Sequence, residues 1–211
     1  VVEIGCDGKG FIDAQQVIEA ASQPRCAAVA MTACSNVVGT AQPIEAIGKG
    51  LREHAPEVLF IVDGAQAMGA LPLDVQSFGI DVLAFSGHKA MLGPPGTGGM
   101  YLSERAYTTD GSSGSGGPIR PSRFGGTGGT LKGSVEDLIP SEMPGVFEVG
   151  TQNMVGRAGL LAALEDDKVP SQAQTLAHER ALIGAFLDRF ADEPRVQILG
   201  PIGVERRHGV V

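Results

Sequence analysis

Two kinds of hydrophobic pattern alternate along the chain. Short, nearly continuous apolar runs occupy residues 27–31, 58–62, 81–85, 99–102 and 195–199. Their length and composition predict strands buried on both faces. Between several of them, apolar residues return every three or four positions, as on one face of a helix. Asp13 precedes AQQVIEAA as a cap, and Pro43 opens IEAIGKGLREHA, where its missing N–H costs nothing in the first helical turn. Ser171 and Gln174 form an S-x-x-Q capping box ahead of a long amphipathic stretch in which Leu176, Ile183, Phe186, Leu187 and Phe190 share a face. Strand alternating with helix predicts an α/β fold: an open, mostly parallel sheet flanked by helices. Ligands of such sheets collect beyond the carboxyl ends of the strands. The pattern lapses across residues 109–133, where GSSGSGG and GGTGG are too glycine-rich for regular structure and predict a long, mobile loop of the kind that is functional or disordered.

Composition narrows the class. The 211 residues are enough for one large core, and 16 Lys+Arg against 24 Asp+Glu give a formal charge of −8. That is the wrong sign for a protein whose affinity rests on neutralising phosphates, so no nucleic-acid partner is expected. No apolar run approaches the roughly 20 residues a membrane helix needs, so no membrane partner is expected either. Cys6, Cys26 and Cys34 share no C-x-x-C spacing, so neither a disulfide framework nor a zinc site is expected. No secretory signal opens the chain, and a reducing cytoplasm is the simplest home. The first and last residues begin and end abruptly, and the terminal RRHGVV reads as the first half of a strand. The expectation is therefore a piece of something larger, incomplete at both ends. Residues 1–165 would be the central part of a large domain, and 166–211 a connecting helix with the start of a small C-terminal α+β domain.

Three of the strand ends carry polar residues together. VLFIVDGAQ delivers Asp63 and Gln66 past its strand, DVLAFSGHK delivers Ser86, His88 and Lys89, and AVAMTACSN leaves Asn36 in the same relation. In a parallel sheet these ends share one edge, so an acid, two amides, a hydroxyl, an imidazole and an amine converge. Taken singly each is an ordinary loop residue, since Asp before Gly is common turn chemistry. A carboxylate and a lysine together, without metal ligands, suit a pyridoxal phosphate enzyme. There the lysine forms a Schiff base and the carboxylate keeps the pyridine nitrogen protonated. Asp63 and Lys89 fit those roles, with Ser86, His88 and glycine N–H groups as donors to the phosphate.

The blocks SNVVGT, PIEAI, VDGAQAMGALPLDV, FSGHKAMLGPPGTGGMYL, RFGGTGG and FEVGTQN follow one another from Ser35 to about Leu164. In that order and spacing the chain resembles the aminotransferase class V branch of fold-type I pyridoxal phosphate enzymes. Within it the chain is most similar to cysteine desulfurases and selenocysteine lyases. The resemblance implies that Lys89 is the cofactor lysine, Asp63 the partner of the pyridine nitrogen, and Gln66 a donor to the ring hydroxyl, with Asn36 near that hydroxyl and the substrate. It implies that Ser86 and His88 hold the phosphate, and that Gly126 and Thr127 reach the phosphate of the neighbouring subunit's cofactor. A homodimer with shared active sites follows. The implied reaction removes sulfur or selenium from cysteine or selenocysteine and leaves alanine, with a sulfur-acceptor protein as a further partner. Transamination, epimerisation, or a catalytically incomplete dimerising fragment are the alternatives.

The chain also departs from the family. Ala33 stands where desulfurases often have a histidine, and Gln152 replaces the proline of a common GTPN block. The family's ring-stacking aromatic residue would precede Val1. Its substrate-binding arginine and nucleophilic cysteine would follow Val211. None of the three cysteines takes over the last role, and Cys34, behind an apolar strand, reads as a small buried thiol. GPPGTGGM imitates a phosphate-binding loop, but Gly99 and Met100 stand where lysine and hydroxyl belong, and an apolar strand follows instead of a helix. His54, His178 and His208 lie among charged residues and are expected at the surface.

Overall fold

The computed structural model describes residues 1–107, 119–123 and 143–209. Helix α1 (Ala14–Ala21) leads into strand β1 (Ala28–Thr32), and helix α2 (Ile44–His54) into β2 (Leu59–Asp63). Then come β3 (Val82–Ser86), β4 (Gly98–Leu102), α3 (Met154–Glu165) and α4 (Gln172–Phe190). The sheet order is β1-β2-β3-β4, with the first three strands parallel and β4 antiparallel to β3. Four of the five anticipated strands are present, most shifted by one residue. The run 195–199 is not a strand. Val196 N–H instead donates to the Glu193 carbonyl at 2.9 Å in a turn, and Val196 and Leu199 are exposed. An apolar run becomes a strand only where a neighbour pairs with it, and none does among the described residues. The glycine-rich stretch 109–133 falls largely outside the described residues, as do Gly126 and Thr127.

Local chemistry explains the helix boundaries. The Asp13 carboxylate accepts from Gln15 N–H at 2.8 Å and so satisfies a donor that the first turn of α1 leaves free. Pro43 sits at the cap of α2, one residue before the helix proper. The Ser171–Gln174 capping box forms as predicted, and α4 buries Ile183 and Leu187 but leaves Phe186 more than a third exposed. Val17 and Ala21 of α1 and Ile47 and Leu51 of α2 meet Phe60, Val62 and Leu83 in the main core. Gly48 permits that approach, because a side-chain carbon there would stand 1.7 Å from the Phe78 carbonyl oxygen. The opposite side of β2 and β3 packs Leu59 and Val82 on Ala106 in a smaller cluster.

One buried carboxylate pins the end of the sheet away from the polar strand ends. Asp81, 2% exposed, accepts from Phe60 N–H at 2.8 Å, Ser103 Oγ at 2.9 Å and Arg105 Nε at 2.7 Å. Arg52 Nη2 lies 3.3 Å from its other oxygen, and both guanidinium groups also donate to the Val58 carbonyl. The carboxylate thereby joins α2, β2, β3 and the loop after β4. Removing one member of a buried, paired charge set typically costs 3–5 kcal/mol. Arg52 and Arg105 keep 29% and 39% of their side chains exposed, which moderates the loss. Asp81→Ala is expected to lower stability by about 3 kcal/mol, read as a fall in the urea midpoint; a midpoint within error of wild type would contradict this role.

Candidate active site

Register places the polar ends. Thr32 pairs with Asp63 across β1 and β2, and Asp63 with Ala84 across β2 and β3, so the three strands finish nearly level. Beyond β2 the chain turns tightly. Gly64 N–H donates to the Ala84 carbonyl at 2.8 Å, and the Asp63 carboxylate accepts from Ala65 N–H at 2.9 Å. Gln66 follows in the same turn. Beyond β3, Gly87 N–H bonds the Thr97 carbonyl and Leu92 N–H bonds the Lys89 carbonyl, closing a turn in which Leu92 adopts a left-handed φ of 59°. A non-glycine residue in that region costs energy that the surrounding structure must impose. The two turns touch: a side-chain carbon on Gly69 would stand 3.1 Å from Ala90 and Met91.

The consequence is one polar cluster. Lys89 Nζ donates to Gln66 Oε1 at 3.0 Å, and Asp63 lies three residues before that amide, at the end of the neighbouring strand. Ser86 Oγ donates to the Ala65 carbonyl at 3.0 Å, so its proton is committed to the β2 turn. His88 is exposed beside Lys89, and Asn36 is exposed in the turn after β1, where Ser35 Oγ accepts from Val37 and Val38 N–H. Gln152 is also engaged: its Oε1 accepts from Arg157 Nη2 at 2.8 Å, while Arg157 pairs with Glu148 at 2.6 Å. The segment 93–98 leads into β4, and Leu160 of α3 packs over Gly87 and Gly93.

Sequence reasoning missed one part of this neighbourhood. His208, expected at the surface, is buried, with its side chain 4% exposed and Nδ1 2.8 Å from Glu179 Oε2 of α4. The reason is tertiary: residues 206–208 run antiparallel beside the loop after β1. Ala41 N–H donates to the Arg206 carbonyl at 3.0 Å and His208 N–H to the Gly39 carbonyl at 2.8 Å. Neither His208 nor Glu179 sits in a recognisable motif, so no local signal marked the pair. His54 and His178 are exposed as anticipated.

A model of the aminotransferase class-V family matches residues 1–211. The chain belongs to this family. A cysteine desulfurase of Klebsiella pneumoniae is 32% identical over 211 residues, covering all of this chain and 48% of that protein. Among solved structures, the apo cysteine desulfurase of Thermococcus onnurineus NA1 superposes with a TM-score of 0.78 at 26% identity, covering 98% of this chain and 48% of its own. A structure described as SspA in complex with cysteine gives 0.60 at 29% identity, over 86% of this chain and 44% of that one. The chain thus spans between 24% and 48% of the length of such curated relatives. The class-V match agrees with the resemblance read from the motifs.

The cysteines differ sharply in setting. Cys6 is exposed, whereas Cys34 is buried 2% exposed beside the candidate site, and burial pushes its thiol from 9.0 up to about 11. The Glu179 charge adds to the rise and Lys89 opposes it. Since the thiolate is the nucleophile, this shift makes Cys34 less reactive near neutrality than an ordinary thiol. A raised value means that the fold favours the neutral thiol, so its contribution to stability is whole below pH 9.0 and is lost as pH rises through about 11. Alkylation at about pH 8 should therefore modify Cys34 at least about a hundredfold more slowly than an unperturbed thiol. Equal labelling of Cys6 and Cys34, followed by peptide mass mapping, would contradict this assignment.

Proposed function

We propose that this chain is the cofactor-bearing part of a pyridoxal phosphate enzyme that removes sulfur or selenium from cysteine or selenocysteine and leaves alanine. The observation that carries the reading is the Lys89 amine held at 3.0 Å by the Gln66 amide, in the turn that follows Asp63. Relatives named as cysteine desulfurases, and a neighbour described with cysteine, support the substrate class. The donor set fits the cofactor. Only one bond, from Ala65, reaches the Asp63 carboxylate among the described residues, which leaves its second oxygen to face a protonated ring nitrogen. The cofactor, when bound, supplies an electron sink for charge developing at the substrate's α-carbon.

The protein's own groups do the remainder. Asp63 holds the ring proton in place, Gln66 donates to the ring hydroxyl, and Asn36 orients the substrate beside it. Ser86 and His88 hold the phosphate, which requires the Ser86 proton to turn away from the Ala65 carbonyl. Lys89, once free, moves the proton at the α-carbon. Gly126 and Thr127 reach the phosphate of a partner subunit's cofactor, in a homodimer with shared sites. The apolar side chains that α3 leaves exposed, among them Met154, Val155 and Leu161, give such an assembly a surface to cover. Residues 166–211 serve as a connecting helix and the opening of a second domain, tied back by the bond from Gln172 Nε2 to the Leu71 carbonyl at 2.9 Å. Cys34, buried in the core with its thiol raised, is not assigned as the sulfur acceptor. A separate acceptor protein and a cytoplasmic setting complete the proposal; no helix of the described residues is long and apolar enough to cross a membrane.

Adding pyridoxal phosphate should produce a visible absorption band that Lys89→Ala abolishes. Retention of the band in that variant, or no band with the wild-type fold intact by circular dichroism, refutes the reading. In the protein that carries this chain, Asp63→Ala should lower turnover about a hundredfold with the band retained. Sulfide and alanine, rather than a keto acid, should accumulate from cysteine; a keto acid would assign transamination instead.

A further inference from the structure

We infer that Thr40 is a positioning residue for Asn36, tying the turn that carries it to the chain segment 7–12. The inference rests on the reading of Asn36 given above, as the residue that orients the substrate, and it concerns side chains to which that reading assigns no role. Residues 35–40 close into a turn around Asn36: Ser35 N–H donates to the Thr40 carbonyl at 3.0 Å, and Gly39 N–H to the Ser35 carbonyl at 3.1 Å. Thr40 is 0% exposed, and its hydroxyl donates out of the turn, to the Lys9 carbonyl at 2.7 Å. Two residues on, the Gln42 amide grips the same segment at both of its ends. Nε2 donates to the Gly10 carbonyl at 2.7 Å, and Oε1 accepts from Ile12 N–H at 3.1 Å.

The bonds inside the turn fix its shape but not its place beside the sheet. Its place depends on the bonds that leave it. On one side these run from backbone to backbone, from Ala41 N–H to the Arg206 carbonyl and from His208 N–H to the Gly39 carbonyl. On the other side they run through the side chains of Thr40 and Gln42, so the residues chosen there decide whether that side is held. The segment they reach is itself stiff. Asp7 N–H bonds the Phe11 carbonyl, Gly10 N–H bonds the Asp7 carbonyl, and the Asp7 carboxylate accepts from Lys9 and Phe11 N–H at 2.8 and 2.9 Å. Gly10 supplies the left-handed φ of 82° in this loop, and the Arg206 guanidinium lies 3.6 Å over the Phe11 ring. A fully buried hydroxyl has no water to take in exchange for the Lys9 carbonyl, so the tie persists in the folded chain. Thr40 thus bonds Lys9 through its side chain and Ser35, the neighbour of Asn36, through its carbonyl. A displacement of about 1 Å in a group that orients a substrate can cost about a hundredfold in rate, so a tie of this kind bears on turnover.

The test uses the protein that carries this chain, with two readouts. The first is hydrogen exchange in the peptide covering residues 33–42 without cofactor, followed by mass spectrometry. The second is kcat/KM for cysteine with pyridoxal phosphate bound. Thr40→Val keeps the shape of the side chain and removes its hydroxyl. It is expected to speed exchange in that peptide about tenfold, the worth of one hydrogen bond, and to lower kcat/KM about tenfold. Thr40→Ser, which keeps the hydroxyl, should restore most of both, and Gln42→Ala, which cuts the second tie, should reproduce the Thr40→Val result. In an Asn36→Ala background Thr40→Val should cost no further kcat/KM, the mark of a residue acting through another. Unchanged exchange in folded Thr40→Val, no rescue by Thr40→Ser, or an equal loss of kcat/KM with and without Asn36 would overturn the inference. Full activity in Asn36→Ala would remove the substrate role of Asn36 and the inference with it. If the wild type shows no visible band, the Lys89 reading fails instead, and the exchange comparison decides whether Thr40 holds the turn. If Thr40→Val fails to fold, Gln42→Ala carries the same comparison.

Discussion

Everything at the candidate site depends on the register of three parallel strands. Pairing Thr32 with Asp63 and Asp63 with Ala84 fixes where each chain leaves the sheet. A slip of one residue would turn Asp63 to the core face and bring Val62 to the crevice, because side chains alternate along a strand. The core prevents that slip. Phe60, Val62 and Leu83 are fully buried against α1 and α2, so a shifted strand would expose them and bury a carboxylate. The hydrophobic effect, which has no direction of its own, thus sets the position of an amide and an amine to within hydrogen-bonding distance, beside the end of the strand that carries Asp63.

The two ends of the sheet treat charge in opposite ways. Asp81, at the start of β3, is surrounded by four donors and cannot exchange them for a ligand. Asp63, at the end of β2, is exposed and accepts a single backbone bond. Both carboxylates flank a strand, yet one is spent on holding the fold and the other is left to receive a partner. This division follows the general placement of binding groups beyond the carboxyl ends of parallel strands, where loops are free to vary while the opposite ends keep the layers together.

How much of this was legible in the sequence depended on the range of the contact. β2 and the start of β3 are buried, so their apolar runs are dense and their ends stand out, and with them Asp63, Gln66 and Lys89. The caps at Asp13 and Ser171 were legible because a cap bonds residues two or three positions away. The run 195–199 has strand-like composition, but composition cannot supply a neighbouring strand. His208 looked like a surface residue because its flanks are charged. Its burial comes from Gly39 and from Glu179, which lie 169 and 29 residues earlier in the chain. The bond from Ser86 to the Ala65 carbonyl has the same character, since it joins two turns that only the folded sheet brings together.

The contrast between Cys34 and Lys89 shows how the fold sets the surroundings of two potential nucleophiles. Both lie near the ends of parallel strands, and both are nucleophiles once deprotonated. Cys34 precedes the turn after β1 and belongs to the main core, so burial raises its thiol and the Glu179 carboxylate raises it further. Lys89 follows β3 in an exposed turn with an amide as its neighbour, open to solvent. Two positions just past the ends of strands in one sheet thus differ in that one is turned into the core and the other is left exposed. The chemistry of the crevice is therefore set as much by which groups the core withdraws as by the residues left to face a ligand.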